Sequence, residues 1–290
     1  MNNIVPIKWV LARMCESDIV IVDCRFQLGK PLSGREAYKE SHIPGAVYLD
    51  LEQDLSAPVD PDGHGGRHPL PDAAVLADRL GKAGISNETR VVAYDDQGGA
   101  MASRLWWLMK YLGHEQVYVM DGGFTAWKNA GCPVSAEQKI IVPARFLATV
   151  QHNMLVEVDE VRESLGTGRF VLVDSREAPR YRGEAEPIDR VAGHIPGARN
   201  VFWAEGRGPD GTWKSADEQA ARFAGVGLSQ NDDVEIVVYC GSGVTACPNV
   251  LALREAGFSR VKLYAGSWSD WISYSGNPIA TRDEEHQSKA

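Results

Sequence analysis

The sequence predicts an α/β protein of two tandem domains, each a parallel sheet with helices on both faces. Two observations support this prediction. An internal repeat runs through the chain with an offset of about 150 residues, too long for a solenoid. Each copy alternates short β-branched runs with helical patterns, which is typical of a parallel sheet covered by helices.

The repeat consists of ordered pairs of matching segments. They are residues 20–25 with 171–176, 42–46 with 194–198 (His-Ile-Pro-Gly-Ala in both), 90–95 with 235–240, and 122–127 with 266–271. A duplicated domain explains this order. We expect an N-terminal domain over 1–137, a linker over 138–152, a C-terminal catalytic domain over 153–281 and a tail over 282–290.

The first copy shows the predicted alternation of strands and helices. The predicted strands are residues 19–22, 46–49, 91–94 and 117–120, and the predicted helices are 36–40, 73–83, 101–111 and 123–129. In parallel sheets the functional loops lie beyond the carboxyl ends of the strands. Residues that directly follow strands are therefore the candidates for chemistry.

Composition excludes several classes of function. The formal net charge of −9 argues against a nucleic-acid or acidic-membrane partner. Apolar runs stay far below the roughly 20 residues of a membrane span, and the first residues do not resemble a secretory signal. Five scattered cysteines without a Cys-x-x-Cys pair argue against a disulfide framework or structural zinc. They favour a reducing, cytoplasmic compartment.

Cys240 is the candidate nucleophile. Four apolar residues run directly into it, and Gly241 and Gly243 follow. Thr245 is predicted as the N-cap of a helix over 246–256. A thiol between a strand end and a helix N-terminus becomes a thiolate more easily, because the helix dipole and nearby N–H groups favour negative charge.

The first copy has Asp95 at the position of Cys240. A carboxylate cannot replace a thiolate nucleophile, so the N-terminal domain is predicted to be catalytically inactive. His42 and His194 occur in both copies, which favours a structural role for them. Cys247 is expected to be a buried, unreactive thiol.

The loop from Cys240 to Thr245 (Cys-Gly-Ser-Gly-Val-Thr), the paired His-Ile-Pro-Gly-Ala motifs, the closing tryptophan segments and the duplication together resemble tandem-domain rhodanese-like sulfurtransferases. The resemblance implies two rhodanese-like domains and a persulfide on Cys240. It implies a small-molecule sulfur donor, a thiol, cyanide or thioredoxin-like acceptor, and no organic cofactor or metal. The loop residues Gly241, Gly243, Val244 and Thr245 would then bind the donor.

Arginines near the second-copy strand end are the candidates for binding the donor's charge. Arg180 matches the family arginine that grips a carboxylate or sulfonate. Arg176 is expected to support the domain internally. The family's second substrate arginine, after a Glu-Pro pair, is replaced here by Ile188, and either Arg182 or Arg190 is a candidate substitute.

Ser242 matches a serine that the resemblance places in a relay with a histidine and an acid. His68 fits the histidine, and Glu52 stands where aspartate is usual. A relay requires hydrogen-bond distances, which the sequence does not supply.

The neutral Gly241-Ser242 pair favours 3-mercaptopyruvate over thiosulfate as donor, whereas the absent second arginine argues the other way. Thiosulfate:cyanide sulfurtransferase activity, or a persulfide carrier serving a protein acceptor, are the alternatives. A cysteine-dependent phosphatase is disfavoured, because it would need an arginine where Ala246 stands.

Overall fold

The computed structural model describes residues 2–230 and 233–281, so the predicted tail lies outside the described residues. The chain divides into two compact units. Unit 1 comprises the chain up to Pro58, then Leu70–His152 and Arg207–Lys214. Unit 2 comprises Val59–Pro69, Asn153–Gly206 and the described chain from Ser215 onward. Across the described chain, no helix combines the length and apolarity that crossing a membrane requires.

The described part of unit 1 contains a parallel sheet of five strands in the order β1-β5-β4-β2-β3. The strands are β1 (Ile4–Val5), β2 (Ile19–Asp23), β3 (Val47–Tyr48), β4 (Arg90–Tyr94) and β5 (Val117–Met120). The helices are α1 (Ile7–Arg13), α2 (Ser33–Glu40), α3 (Ala73–Lys82), α4 (Ala100–Tyr111) and α5 (Gly123–Asn129). Strands β2 and β4 are buried almost throughout, as expected for central parallel strands.

The described part of unit 2 contains a parallel sheet of four strands in the order β7-β6-β8-β9. The strands are β6 (Phe170–Asp174), β7 (Arg199–Asn200), β8 (Glu235–Tyr239) and β9 (Val261–Leu263). The helices are α6 (Val158–Ser164), α7 (Ala178–Tyr181), α8 (Ala216–Ala224), α9 (Cys247–Glu255) and α10 (Ser267–Trp271). Strand β8 is central in this sheet, and functional loops of parallel sheets lie beyond the carboxyl ends of the strands, so the residues after β8 are well placed for chemistry.

The predicted fold class is confirmed, and the predicted elements of the first copy all occur within a few residues of their expected bounds. Strand β3 is shorter than predicted, with two residues in place of 46–49. Strand β1 and helix α1 were not predicted from the sequence. Strand β1 has two residues and pairs only with β5 at the sheet edge, and α1 has seven, fewer than two full turns, so both are too short for a clear repeating pattern.

A buried ion pair recurs at the same place in both units. Arg25 Nη2 lies 2.6 Å from Asp23 Oδ2, and Arg176 Nη2 lies 2.6 Å from Asp174 Oδ2. The Arg176 guanidinium also lies 4.6 Å from the ring centroid of Trp268. The charge of Arg176 is neutralised inside the unit, so this residue holds the end of β6 in place. The equivalent Arg25 in the first copy had suggested such an internal role.

The two motif histidines are buried in equivalent networks. His42 Nδ1 is 2.6 Å from the carbonyl oxygen of Tyr38, and His194 Nδ1 is 2.7 Å from that of Tyr181. Each imidazole stacks on the same tyrosine's ring, at centroid distances of 4.1 and 3.7 Å. These contacts fit the structural role predicted for both residues.

Candidate active site around Cys240

Cys240 directly follows β8 and is almost fully buried, with 1% of its surface exposed. Its backbone N–H donates to Ser267 Oγ at 3.1 Å, and its carbonyl oxygen accepts from the Trp268 N–H at 3.0 Å. Ser267 adopts a left-handed φ of 58°, which is uncommon for a residue other than glycine. The start of α10 therefore fixes the backbone of the thiol-bearing residue on both sides.

The loop after Cys240 leads directly into α9. Gly243 has a φ of 76°, and a Cβ built on it would lie 2.1 Å from the carbonyl oxygen of Ala265. Only glycine fits such a position, because the conformation and the close approach both exclude a side chain. The loop is thus held tightly against the chain that follows β9.

The predicted N-cap at Thr245 is wrong. Helix α9 begins at Cys247, and its N-cap is Ala246, which forms no side-chain cap. The Cys247 N–H already donates to the Val244 carbonyl oxygen at 3.1 Å, so a turn satisfies the donor that a cap would serve. Pro248 in the first turn supplies a preset φ without an N–H.

The structure brings Ser242 and His68 together although they lie far apart in sequence. Ser242 Oγ and His68 Nδ1 are 2.7 Å apart, and both residues are buried. Glu52 belongs to unit 1, where its N–H donates to Asp50 Oδ1 at 2.9 Å. Its place in a relay with Ser242 and His68 stays a prediction.

The segment Val59–Pro69, which carries His68, is anchored to α10 and the residues around it. The Gly65 N–H donates to Asp270 Oδ1 at 2.8 Å, and the Arg67 N–H donates to Ser269 Oγ at 3.1 Å. A further contact joins His64 Nδ1 to Ser273 Oγ at 2.8 Å. Because α10 also holds Cys240, one short helix positions both the thiol and the Ser242 partner.

Arg180 carries the charge expected near the thiol, and it is held by two carboxylates. Its Nε lies 2.9 Å from both carboxylate oxygens of Glu186, and its Nη2 donates to Asp189 Oδ2 at 3.0 Å. About a tenth of the Arg180 side chain is exposed. If a Cβ were added to Gly241, it would lie 3.5 Å from Arg180 Nη2, which shows that the guanidinium lies over the Cys240 loop.

Arg67 supplies a second guanidinium over the same loop, and it was not predicted from the sequence. Its Nη1 pairs with Asp189 Oδ1, and its Nη2 would lie 3.0 Å from a Cβ on Gly241. Burial lowers the pKa of Arg67, while the negative charge of a Cys240 thiolate opposes that shift. The one feature of the sequence that pointed to Arg67 was its position next to His68, because a residue adjacent to a predicted site residue lies close to the same site.

The two arginines proposed as substitutes for a residue at position 188 form other contacts. Arg190 Nη2 donates to the carbonyl oxygen of Ile272, and Arg182 Nε lies 2.8 Å from Glu184 Oε1. Ile188 itself is exposed. Roles for Arg182 and Arg190 in donor binding stay predictions, and the contacts above place Arg67 and Arg180 at the loop instead.

The remaining loop residues contribute backbone contacts and packing, and none of them carries a charge. The Gly241 carbonyl oxygen accepts from the Ser269 N–H at 2.9 Å, Val244 is buried and Thr245 is partly exposed. Cys247 is buried, and its Sγ lies 3.2 Å from the Gly243 carbonyl oxygen. That contact fits a packing role for the second thiol.

Comparisons with known proteins agree with this arrangement. The rhodanese-like domain family matches residues 7–130 and again 157–274. A probable 3-mercaptopyruvate sulfurtransferase of Pseudomonas aeruginosa is 46% identical over 273 residues, covering 94% of this chain and 95% of the relative. A thiosulfate sulfurtransferase of Rattus norvegicus is 37% identical, covering 93% and 91%. The crystal structure of SseA from Escherichia coli, a 3-mercaptopyruvate sulfotransferase, superposes with a TM-score of 0.81 at 32% identity, covering 92% and 99%. The chain therefore belongs to the rhodanese-like family of tandem-domain sulfurtransferases.

Proposed function

We propose that this sulfurtransferase takes a sulfur atom from a small anionic donor, with 3-mercaptopyruvate favoured, holds it as the sulfane sulfur of a Cys240 persulfide, and passes it to a thiol or cyanide. The observation that carries the proposal is the set of groups around one loop. A cysteine lies between a central strand and a helix start, two guanidinium groups lie over its loop, and the Ser242–His68 pair lies beside it.

The chemistry follows from these groups. The Cys240 thiolate attacks the donor's sulfur, the carbon–sulfur bond breaks, and its electron pair leaves with the carbon as the enolate of pyruvate. The proton that was on the donor thiol balances the step, and Ser242 with His68 can pass it to the enolate. An acceptor thiolate then attacks the outer sulfur and releases the Cys240 thiolate.

The donor's carboxylate is expected to bind at Arg67 and Arg180. Both side chains are partly exposed, and both approach Gly241, the residue next to the thiol. A guanidinium presents paired N–H donors that match the two oxygens of a carboxylate. Arg67 thereby supplies a second positive group although position 188 is isoleucine.

The test is a comparison of both donors on one preparation, with single-cysteine variants alongside. We expect a higher kcat/KM with 3-mercaptopyruvate than with thiosulfate. Cys240→Ser removes the nucleophile and should abolish transfer, whereas Cys247→Ser, at a thiol that packs against Gly243, should largely retain it. Full turnover by Cys240→Ser would overturn the proposal, and a clear thiosulfate preference would reject the favoured donor.

Thiosulfate remains the second candidate donor, because two guanidinium groups over the loop also suit a dianion. A persulfide carrier for a protein acceptor, such as a thioredoxin-like protein, is tested by steady turnover with a small donor and a small thiol. We also propose that the domain over 1–137 transfers no sulfur, since Asp95 replaces the nucleophile. Five free cysteines are compatible with a cytoplasmic location, which we propose on that basis.

A further inference from the structure

Asp189 places a carboxylate of the protein itself between the two arginines that lie over the Cys240 loop. Its Oδ1 pairs with Arg67 Nη1, and its Oδ2 accepts from Arg180 Nη2 at 3.0 Å. Only 4% of the Asp189 side chain is exposed, and Oδ2 would lie 3.6 Å from a Cβ on Gly241. Each carboxylate oxygen therefore contacts one of the guanidinium groups to which a donor anion would bind.

The charges of this cluster cancel before a donor arrives. Arg67 and Arg180 contribute two positive charges, and Glu186 and Asp189 contribute two negative ones. Hydrogen-bonding capacity nevertheless remains. Arg67 Nε is buried and has no hydrogen-bond partner among the described residues, and the carboxylate contacts of Arg180 use only its Nε and Nη2.

We propose that Asp189 is the resident counter-ion of this anion site and that it limits the charge of the donor the site accepts. The inference rests on the proposed function. An incoming anion binds to the same two guanidinium groups as Asp189 and is repelled by the Asp189 carboxylate. Because Coulomb energy is proportional to the donor's charge, the repulsion is twice as large for a dianion as for a monoanion. Asp189 thus favours a monocarboxylate such as 3-mercaptopyruvate over thiosulfate.

The test measures binding without turnover. In a Cys240→Ser background, which cannot accept sulfur, calorimetry gives the Kd of sodium pyruvate as the monoanion and of sodium thiosulfate as the dianion. Asp189→Asn keeps the side-chain shape and removes one negative charge. We expect Kd to fall about tenfold for pyruvate and about a hundredfold for thiosulfate. The removed repulsion is proportional to the ligand's charge, and the binding free energy is proportional to the logarithm of Kd, so the change in log Kd is twice as large for the dianion.

Asp233→Asn is the control for the loss of one negative charge from a carboxylate that pairs with an arginine. Asp233 also pairs with an arginine, Arg260, at 2.7 Å. It precedes β8, whereas Cys240 follows β8, so the two residues lie at opposite ends of this strand. The control should shift neither Kd by more than about twofold. Unchanged or weaker binding in Asp189→Asn, or equal gains for both anions, would overturn the proposal.

Arg67→Gln provides a second variant that does not depend on the folding of Asp189→Asn. It leaves Asp189 with one guanidinium partner, so thiosulfate binding should weaken more than pyruvate binding. Equal weakening of both anions would count against the counter-ion role. The two proposals can be rejected independently. Absence of turnover with every donor would reject the proposed function, whereas the counter-ion role of Asp189 is judged from Kd values measured in the inactive Cys240→Ser background.

Discussion

Truncation of Ser242 separates the two candidate donors by the chemistry of their leaving groups. When 3-mercaptopyruvate gives up its sulfur, an enolate leaves and must take up a proton. When thiosulfate does so, sulfite leaves and needs none. Ser242 lies in the loop that follows Cys240 and forms a buried hydrogen-bonded pair with His68, whose Nδ1 is 2.7 Å from Ser242 Oγ. Ser242→Ala should therefore impair the first donor far more than the second.

The size of the effect follows from the burial of the pair. His68 and Ser242 are 4% and 6% exposed, so bulk water does not readily replace the proton path. General acid catalysis contributes about a hundredfold to ten-thousandfold, so we expect kcat with 3-mercaptopyruvate to fall at least about a hundredfold, or ~2.7 kcal/mol in barrier. The thiosulfate rate should stay within about threefold, because its leaving group carries the charge without protonation.

The assay measures kcat and KM for both donors with Ser242→Ala and His68→Asn, together with the unfolding midpoint of each variant. Asparagine places an amide nitrogen where His68 Nδ1 lies, so it keeps a hydrogen bond to Ser242 but cannot relay a proton. Equal losses with both donors would show a structural role for the pair. A normal 3-mercaptopyruvate rate in either variant would refute the relay.

Two further predictions concern the backbone around the thiol. Gly243→Ala should lose sulfur transfer and several kcal/mol of stability, because its Cβ would lie 2.1 Å from the Ala265 carbonyl oxygen. Gly197→Ala is the control, since Gly197 has a similar φ of 79° but no atom within 4 Å of the added Cβ, and it should lose only about 1–2 kcal/mol. Equal unfolding free energies for the two variants would show that the close approach is not limiting. Ser267→Ala should cost about 1–3 kcal/mol in chemical denaturation, since it leaves the buried Cys240 N–H without its acceptor, and an unchanged stability would contradict this.

The features that sequence predicted well are local. Runs such as β4 and β8 and the glycine loop after Cys240 follow from patterns within a few residues, and the repeat fixed where each copy's strand ends lie. Arg67 could not be found this way. Its importance comes from contacts with Asp189 and Gly241, more than a hundred residues away, and apart from its position beside His68 no local pattern distinguishes it from a solvated arginine.

The same limit applies to charge at the site. Counting the loop's neutral residues suggested that a carboxylate donor would be favoured for lack of positive charge beside the thiol. The structure shows positive charge over the loop, already balanced by carboxylates that follow α7 in the chain. We therefore expect selectivity for donor charge to depend on the balance of charge within this cluster, which only the folded arrangement defines.

The loop after β4 in unit 1 indicates why the same scaffold suits a thiolate in unit 2. Asp95 is buried, and its carboxylate accepts from the N–H groups of Gln97, Gly99, Met101 and Ala102 at 2.7–2.9 Å. Burial raises the pKa of this carboxyl, and those four N–H groups act in the opposite direction. The loop that follows this strand thus directs its N–H donors at the side chain of the first loop residue. We expect N–H groups of the loop after β8 to stabilise the spread negative charge of a Cys240 persulfide in a similar way, although that loop differs from the one after β4 in sequence and in length.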